Sequence, residues 1–289
     1  KDRGAGVRVL CMNELFGLNS GFNNICRKHF SCRREDLKIS GTVFFPRREK
    51  GSRYPIAIIC HEFMTNQAFS YPYAKALAAC GYAAFCFDFC GGGLISTSQG
   101  SSREMSVLTE IKDLKAVIAF ARSQRYVNAD DLLLMGCSQG GLVAALTAAQ
   151  MPELVKSLIL LYPALAIPDA ARAGNMLWMK FDPSNVPKKL YSGPMLLGRN
   201  YVLDVINMDA YHEISKYHGR ILIVHGDKDT LVDISHSRKA RYYYQAAGAS
   251  VRLVPISGGK HIFRKPSQIR QVQKEIRMFV GNSKDRSCR

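Results

Sequence analysis

From residue 56 onward, short unbroken apolar runs alternate with longer stretches in which apolar positions recur every three or four residues. The first kind reads as strands buried on both faces, the second as helices with one face toward a core. The runs predict strands at 56–61, 82–89, 132–135, 158–162, 221–225 and 251–255. Between them the pattern predicts helices at 71–79, 105–122, 141–150, 235–247 and 269–280. In the second helix Val107, Ile111, Leu114, Ile118 and Ala121 follow each other in steps of four and three. The beginning is different. Two extended runs, 26–33 and 37–45, are separated by polar residues and read as an antiparallel hairpin. Strands that alternate with helices predict an α/β fold, a mainly parallel central sheet with helices on both faces.

One stretch breaks this rhythm. Residues 165–215 hold Pro168, Pro183, Pro187 and Pro194, several glycines, and the apolar group Met176, Leu177, Trp178 and Met179. The segment is too long for a plain connection and is expected to be an inserted lid over the strand ends. The core would then comprise 1–164 and 216–289, with 165–215 as the cap. Trp178, the single tryptophan, serves in such a lid either as core or as a wall of the substrate site.

Candidate chemistry starts at Gly136-Cys137-Ser138-Gln139-Gly140-Gly141, between the apolar run 132–135 and the helical pattern that follows. Glycines two before and two after a serine permit a turn too sharp for side chains, with the serine in a strained conformation that projects its hydroxyl. The partial positive charge of the following helix and the Gln139 amide are placed to stabilise an oxyanion. Cys137 sits at the variable position of the turn and reads as a buried, inert thiol. A serine hydroxyl needs a histidine to accept its proton and a carboxylate to orient that histidine. Two later strand ends supply candidates: His225-Gly226-Asp227-Lys228-Asp229 and Gly258-Gly259-Lys260-His261. Asp227 and Asp229 compete for the acid role.

Composition narrows the rest. A chain of 289 residues, 47% apolar, suits one large domain. Nine cysteines without paired C-x-x-C motifs predict reduced thiols and a cytoplasmic setting rather than a disulfide framework or a zinc site. The net charge of +17 is spread over Arg33, Arg34, Arg47, Arg48, Lys188, Lys189, the run 238–241 and the tail 260–289. Spread bases predict a solvated basic surface and no nucleic-acid partner. No run approaches the ~18 apolar residues of a membrane span. The apolar segment 7–18 is interrupted by Arg8, Asn13 and Glu14 and is not a signal peptide as it stands. The chain opens on Lys1, which leaves an upstream leader or anchor open, and a homo-oligomer stays open too.

The order Ser, Asp, His, with each residue at a strand end, resembles the α/β-hydrolases, and more narrowly the serine esterases of the cinnamoyl or feruloyl type. The likeness runs from the hairpin to the last helix. It implies Ser138 as nucleophile, Asp229 as acid, three residues after the glycine, and His261 as base, with no cofactor. Asp227 would then shape the loop and His225 would buttress it. The resemblance also implies backbone oxyanion donors at Gln139 and Phe63. In relatives the second donor loop begins His-Gly-aromatic, whereas here it reads His61-Glu62-Phe63. A glutamate there is expected to be strained at positive φ, and it sets a carboxylate near an anion site unless exposed or paired with a base. Asp88-Phe89-Cys90-Gly91-Gly92-Gly93 lacks phosphate-loop spacing and is expected to support the site. In the lid, Asp169 and Tyr201 match the acidic residue and tyrosine that bind a phenolic hydroxyl in these esterases, although Asp169 also suits a helix cap before Ala170.

The expected activity is hydrolysis of small carboxylic esters through an acyl-enzyme, with a hydroxycinnamoyl acyl group. Within that chemistry the alternatives are a general short-acyl esterase or a thioesterase. Outside it stands a non-catalytic binder on the same fold, which Glu62 keeps in play.

Overall fold

The computed structural model describes residues 24–47 and 53–284, and the apolar segment 7–18 lies outside them. Strands β1 (Ile25–Arg34) and β2 (Leu37–Pro46) form the expected hairpin. Next come β3 (Tyr54–Cys60), α1 (Tyr71–Ala79), β4 (Ala83–Phe87), α2 (Val107–Arg122), β5 (Val127–Cys137), α3 (Gln139–Gln150) and β6 (Val155–Leu161). The segment that follows carries α4 (Ile167–Arg172), β7 (Asn175–Met176), β8 (Met179–Lys180), β9 (Lys189–Ser192), β10 (Met195–Gly198), α5 (Asn200–Leu203) and α6 (Ala210–Ile214). The chain closes with β11 (Arg220–Gly226), α7 (Ile234–Ala246), β12 (Ser250–Ile256) and α8 (Pro266–Lys284).

Eight strands form one sheet in the order β1-β2-β4-β3-β5-β6-β11-β12. The β1–β2 and β2–β4 pairs are antiparallel and every later pair is parallel. Unbroken apolar runs suit this sheet because alternate residues enter two separate cores. Ile56, Ile58 and Cys60 of β3 pack with α2, α3 and α7, while Ala57 and Ile59 face α1 and α8. Burial of each isoleucine contributes about 1.5–3 kcal/mol.

Two polar devices fix the frame. Ser106 caps α2 reciprocally: its Oγ accepts from the Thr109 N–H, and Thr109 Oγ1 accepts from the Ser106 N–H. The Ser106 hydroxyl also donates to Asp204, at the end of α5. Arg34 of the hairpin donates to buried Asp113 of α2 at 2.5 Å, and the Cys90 N–H donates to the other carboxylate oxygen.

The segment between β6 and β11 packs into the main core. Met176, Met179, Leu190, Leu197 and Val202 join the α2–α3 core. Its two hairpins, β7–β8 and β9–β10, were not foreseen, because strands of two and four residues show no measurable period. No disulfide links the described cysteines. Among the described residues no helix is long and apolar enough to cross a membrane.

Candidate active site

The strand order reverses around β3, so β3 and β5 lie side by side with their carboxyl ends at the crevice where such sheets bind ligands. Ser138 follows β5 at φ 51°, ψ −119°. Such a conformation costs a non-glycine residue of order 1–3 kcal/mol and persists only when its surroundings over-determine it. Here they do. The Ser138 N–H donates to Leu161, and its carbonyl accepts from Gly141, Leu142 and Ala164. The flanking glycines are sterically required: a Cβ on Gly136 would lie 2.1 Å from the Gly140 carbonyl oxygen, and one on Gly140 would lie 2.3 Å from that of His61.

The Ser138 hydroxyl stands 2.8 Å from His261 Nε2, and His261 Nδ1 stands 2.7 Å from Asp229 Oδ2. An ionised carboxylate only accepts, so Nδ1 carries the proton and Nε2 is free to accept from the serine. Asp229 is buried and receives three further donors. The Leu231 and Val232 N–H groups reach Oδ1, and His225 Nε2 reaches Oδ2 at 3.1 Å. Burial alone would raise its pKa. Hydrogen bonds from His225, His261 and Val232, with the charge of His261, outweigh burial and hold Asp229 well below the usual carboxylate range. His225 also meets the Val232 carbonyl and Ser237, which makes it a brace of the loop. Asp227 accepts from the Gly258 N–H and ties the β11 loop to the β12 loop. Burial pushes the Cys137 thiol well up, away from reactive thiolate.

Phe63 and Gln139 both line the cavity in front of Ser138. Gln139 is the first residue of α3, so its N–H has no acceptor within the helix. The strained residue of the loop after β3 is Met64, at φ 66°, and not Glu62. The Glu62 carboxylate is not exposed, and among the described residues no base pairs with it. It is buried, Oε1 accepts from the Tyr162 hydroxyl at 2.7 Å, and Oε2 accepts from Thr65 Oγ1 at 3.1 Å. It is therefore turned into the protein and does not line the cavity.

Two partners escaped the sequence reading. Tyr162, directly after β6, holds Glu62 and lays its ring 5.0 Å from the His261 ring. Glu110 of α2 accepts from Gln139 Nε2 at 2.8 Å, while Gln139 Oε1 accepts from the Tyr201 hydroxyl at 2.6 Å. Burial raises the Glu110 pKa to about 8, against the Gln139 hydrogen bond and with help from Asp113. A signal for Glu110 existed: it lies three residues after Val107 and four before Leu114, on the apolar face of its helix.

The cavity measures about 320 Å³. Phe63, Met176, Leu177, Tyr201, Leu231 and Val232 are among its walls, and the Phe63 and Tyr201 rings lie 5.5 Å apart. Asp169 stands elsewhere. It is in the first turn of α4, behind the Ala166 cap, ion-paired with Arg172, and it lines a separate cleft with Tyr211 and Lys239. It is thus neither a helix cap nor a neighbour of Tyr201, because the arginine three residues on holds it at the surface. Trp178 is 66% exposed, outside both the core and the cavity lining. Among the described residues no three His, Cys, Asp or Glu side chains gather as metal ligands.

A doubly covered, mostly parallel sheet with a strained serine after its fifth strand and a histidine–carboxylate pair on later loops defines an α/β-hydrolase. A sequence model of the Hydrolase_4 family, described as serine aminopeptidase, S33, matches residues 54–200, and the chain belongs to that family. Among solved structures it is similar to Est1E from Butyrivibrio proteoclasticus with ferulic acid bound, at 28% identity and TM-score 0.80, over 88% of this chain and 98% of that one. A second Est1E structure gives 26% identity and TM-score 0.77, over 88% and 98%. The Pyrococcus furiosus esterase Pf2001, at 18% identity and TM-score 0.66 over 89% and 92%, shares the fold. No curated protein matches. The chain is an α/β-hydrolase of that family.

Proposed function

We propose that the chain hydrolyses carboxylic esters of aromatic, hydroxycinnamate-like acids through an acyl-enzyme. The observation that carries this reading is the continuous Ser138–His261–Asp229 hydrogen-bond chain opening on an apolar cavity. Ser138 Oγ attacks the ester carbonyl as His261 Nε2 takes its proton. The tetrahedral oxyanion is met by the Phe63 and Gln139 N–H groups and by the start of α3. The C–O bond to the alcohol breaks as His261 returns the proton, and water repeats the sequence to release the acid. Asp229 stays ionised throughout, holds the tautomer and stabilises the imidazolium. Every step is carried by side chains, backbone amides and water.

The segment 165–215 acts as the lid. It supplies Ile167, Ala170, Asn175, Met176, Leu177 and Tyr201 to the cavity wall. The substrate class rests on that wall and on the likeness to Est1E, whose structure holds ferulic acid. Among the described residues no charged side chain lines the cavity, which selects a neutral acyl group, and a planar ring fits against Phe63 and Tyr201. Asn175 and Thr230 are the polar side chains left to meet ring substituents.

Ser138→Ala is expected to abolish hydrolysis of a small aryl ester, and labelling by a fluorophosphonate, with the fold intact. Full labelling or full activity of the variant would sink the serine mechanism. The acyl preference is tested separately by kcat/KM on feruloyl and straight-chain acyl esters of one alcohol. A preference for the straight chains ends the aromatic reading and leaves the esterase in place.

A further inference from the structure

Some of the large apolar side chains exposed among the described residues lie beside the cavity mouth. Leu177 and Trp178, 37% and 66% exposed, form the turn between β7 and β8. The Trp178 ring lies against Gly193 at the turn of the β9–β10 hairpin: a Cβ built there would be 3.5 Å from two ring carbons and 3.9 Å from Met64 Cε. Met64 bridges to Gly93, and its carbonyl accepts from the Leu94 N–H. That pairing sets Leu94, 52% exposed, beside Met64, and Ile95, 77% exposed, follows it at the edge of a separate cleft shared with His29, Lys38 and Tyr71. Leu177 also lines the Ser138 cavity, so rim and mouth are continuous. A monomer seldom leaves such residues together without a partner for them.

The exposed charge beside this rim is mainly positive. Lys180, Lys188 and Lys189 are exposed on and beside β8 and β9, two strands in contact with each other. The acid among residues 175–193 is Asp182, whose carboxylate already accepts from the Ser184 N–H and hydroxyl. The whole chain carries +17. Exposed tryptophan settles at the headgroup level of a bilayer, and neighbouring lysines are drawn to anionic headgroups. A second copy of the chain is a poorer occupant, because a two-fold contact would set the same lysines against each other.

We propose that this rim docks the protein, cavity mouth first, on an anionic lipid surface. Leu94, Ile95, Leu177 and Trp178 enter the boundary between headgroups and acyl chains, while the three lysines lie among the headgroups. The attachment is peripheral. It does not depend on ester chemistry and is measured without turnover.

The chain's single tryptophan is the reporter. Phosphatidylcholine vesicles containing phosphatidylglycerol are expected to shift Trp178 emission to the blue, lipids with brominated acyl chains to quench it, and added salt to reverse both. Phosphatidylcholine alone is expected to do neither. In co-sedimentation, Trp178→Ser and Ile95→Ser should each weaken binding by roughly tenfold, and Lys188→Glu with Lys189→Glu by more, while thermal unfolding of these surface variants stays unchanged. An emission maximum that vesicles do not move overturns the proposal. Equal binding to neutral vesicles overturns it as well, and so does a wild-type dimer that Ile95→Ser dissociates in the absence of any vesicle binding.

Discussion

The loop after β11 and the underside of α3 each bury a carboxyl group beside Ser138, and the two groups end in opposite states. Asp229 receives four N–H donors, two from the backbone and two from histidines, and is held well below the usual carboxylate range. Glu110 receives one side-chain amide, from Gln139, has Asp113 nearby, and rises to about 8. Burial pushes both upward. What separates them is the number of donors that replace water, and the one placed to stabilise a developing imidazolium is the one that stays ionised.

The largest effect that tests this contrast is on turnover. Asp229→Asn keeps the shape but reverses the hydrogen-bond demand on His261 Nδ1, and kcat for a small aryl ester is expected to fall roughly 10⁴-fold. Asp227→Asn, which disturbs the bond from Gly258, is expected to fall less than about tenfold. Comparable losses for the two variants would show that Asp229 acts through loop shape alone.

The next test uses pH. Asp229, with its pKa lowered by folding, stabilises the native state above the ordinary carboxylate range, and that contribution is lost as pH falls through its lowered value. Glu110 has the reverse sign. The unfolded chain ionises it near 4.5 and the folded chain near 8, so the folded state binds more protons in between, and stability is lost as pH rises through that window. Glu110→Gln removes the titration. The difference in Tm between wild type and Glu110→Gln is expected to move in the variant's favour from about pH 5 to about pH 8. A difference that stays flat would mean that Glu110 ionises as an ordinary carboxylate.

These contrasts separate what local pattern carries from what it cannot. The sheet was legible because each strand is a short apolar run and each helix repeats near 3.6 residues. The turn at Ser138 was legible because its glycines are demanded by contacts within a few residues or at a neighbouring strand end. His261 and the competing Asp227 and Asp229 were named by their places after apolar runs, and the resemblance chose Asp229. In the fold Asp229 and His261 lie on the loops that follow the adjacent strands β11 and β12. Glu62 was misjudged because its fate depends on Tyr162, 100 residues away, and the Gln139–Tyr201 bond spans 62. No period or spacing reports such pairs. The start of α8 was set at residue 269, whereas it begins at Pro266, a residue favoured in the first turn.

A smaller effect sharpens the comparison at a third buried carboxylate. Tyr162→Phe removes the hydroxyl that donates to Glu62 Oε1 and leaves that oxygen buried without this partner, at a cost of about 1–3 kcal/mol in urea unfolding. Glu62→Gln keeps an acceptor for Tyr162 and is expected to cost less. A costlier Glu62→Gln would mean that the charge itself, and not the hydrogen bond, holds the loop.

The smallest effect is expected at Asp169, the carboxylate that shares its residue type with Asp229 and nothing of its setting. Its side chain is 49% exposed, its partner Arg172 is 45% exposed, and the guanidinium also reaches the Ile206 and Met208 carbonyls. A surface pair of this kind contributes about 0–1 kcal/mol, so Asp169→Asn is expected to change stability by less than about 0.5 kcal/mol. Because its cleft is separate from the Ser138 cavity, kcat/KM for a feruloyl ester should also be unchanged, whereas Tyr201→Phe should alter it by breaking the bond to Gln139. A tenfold loss in Asp169→Asn confined to hydroxylated aromatic substrates would place a phenol-binding carboxylate back in the lid, and would require α4 to turn that side chain inward when substrate binds.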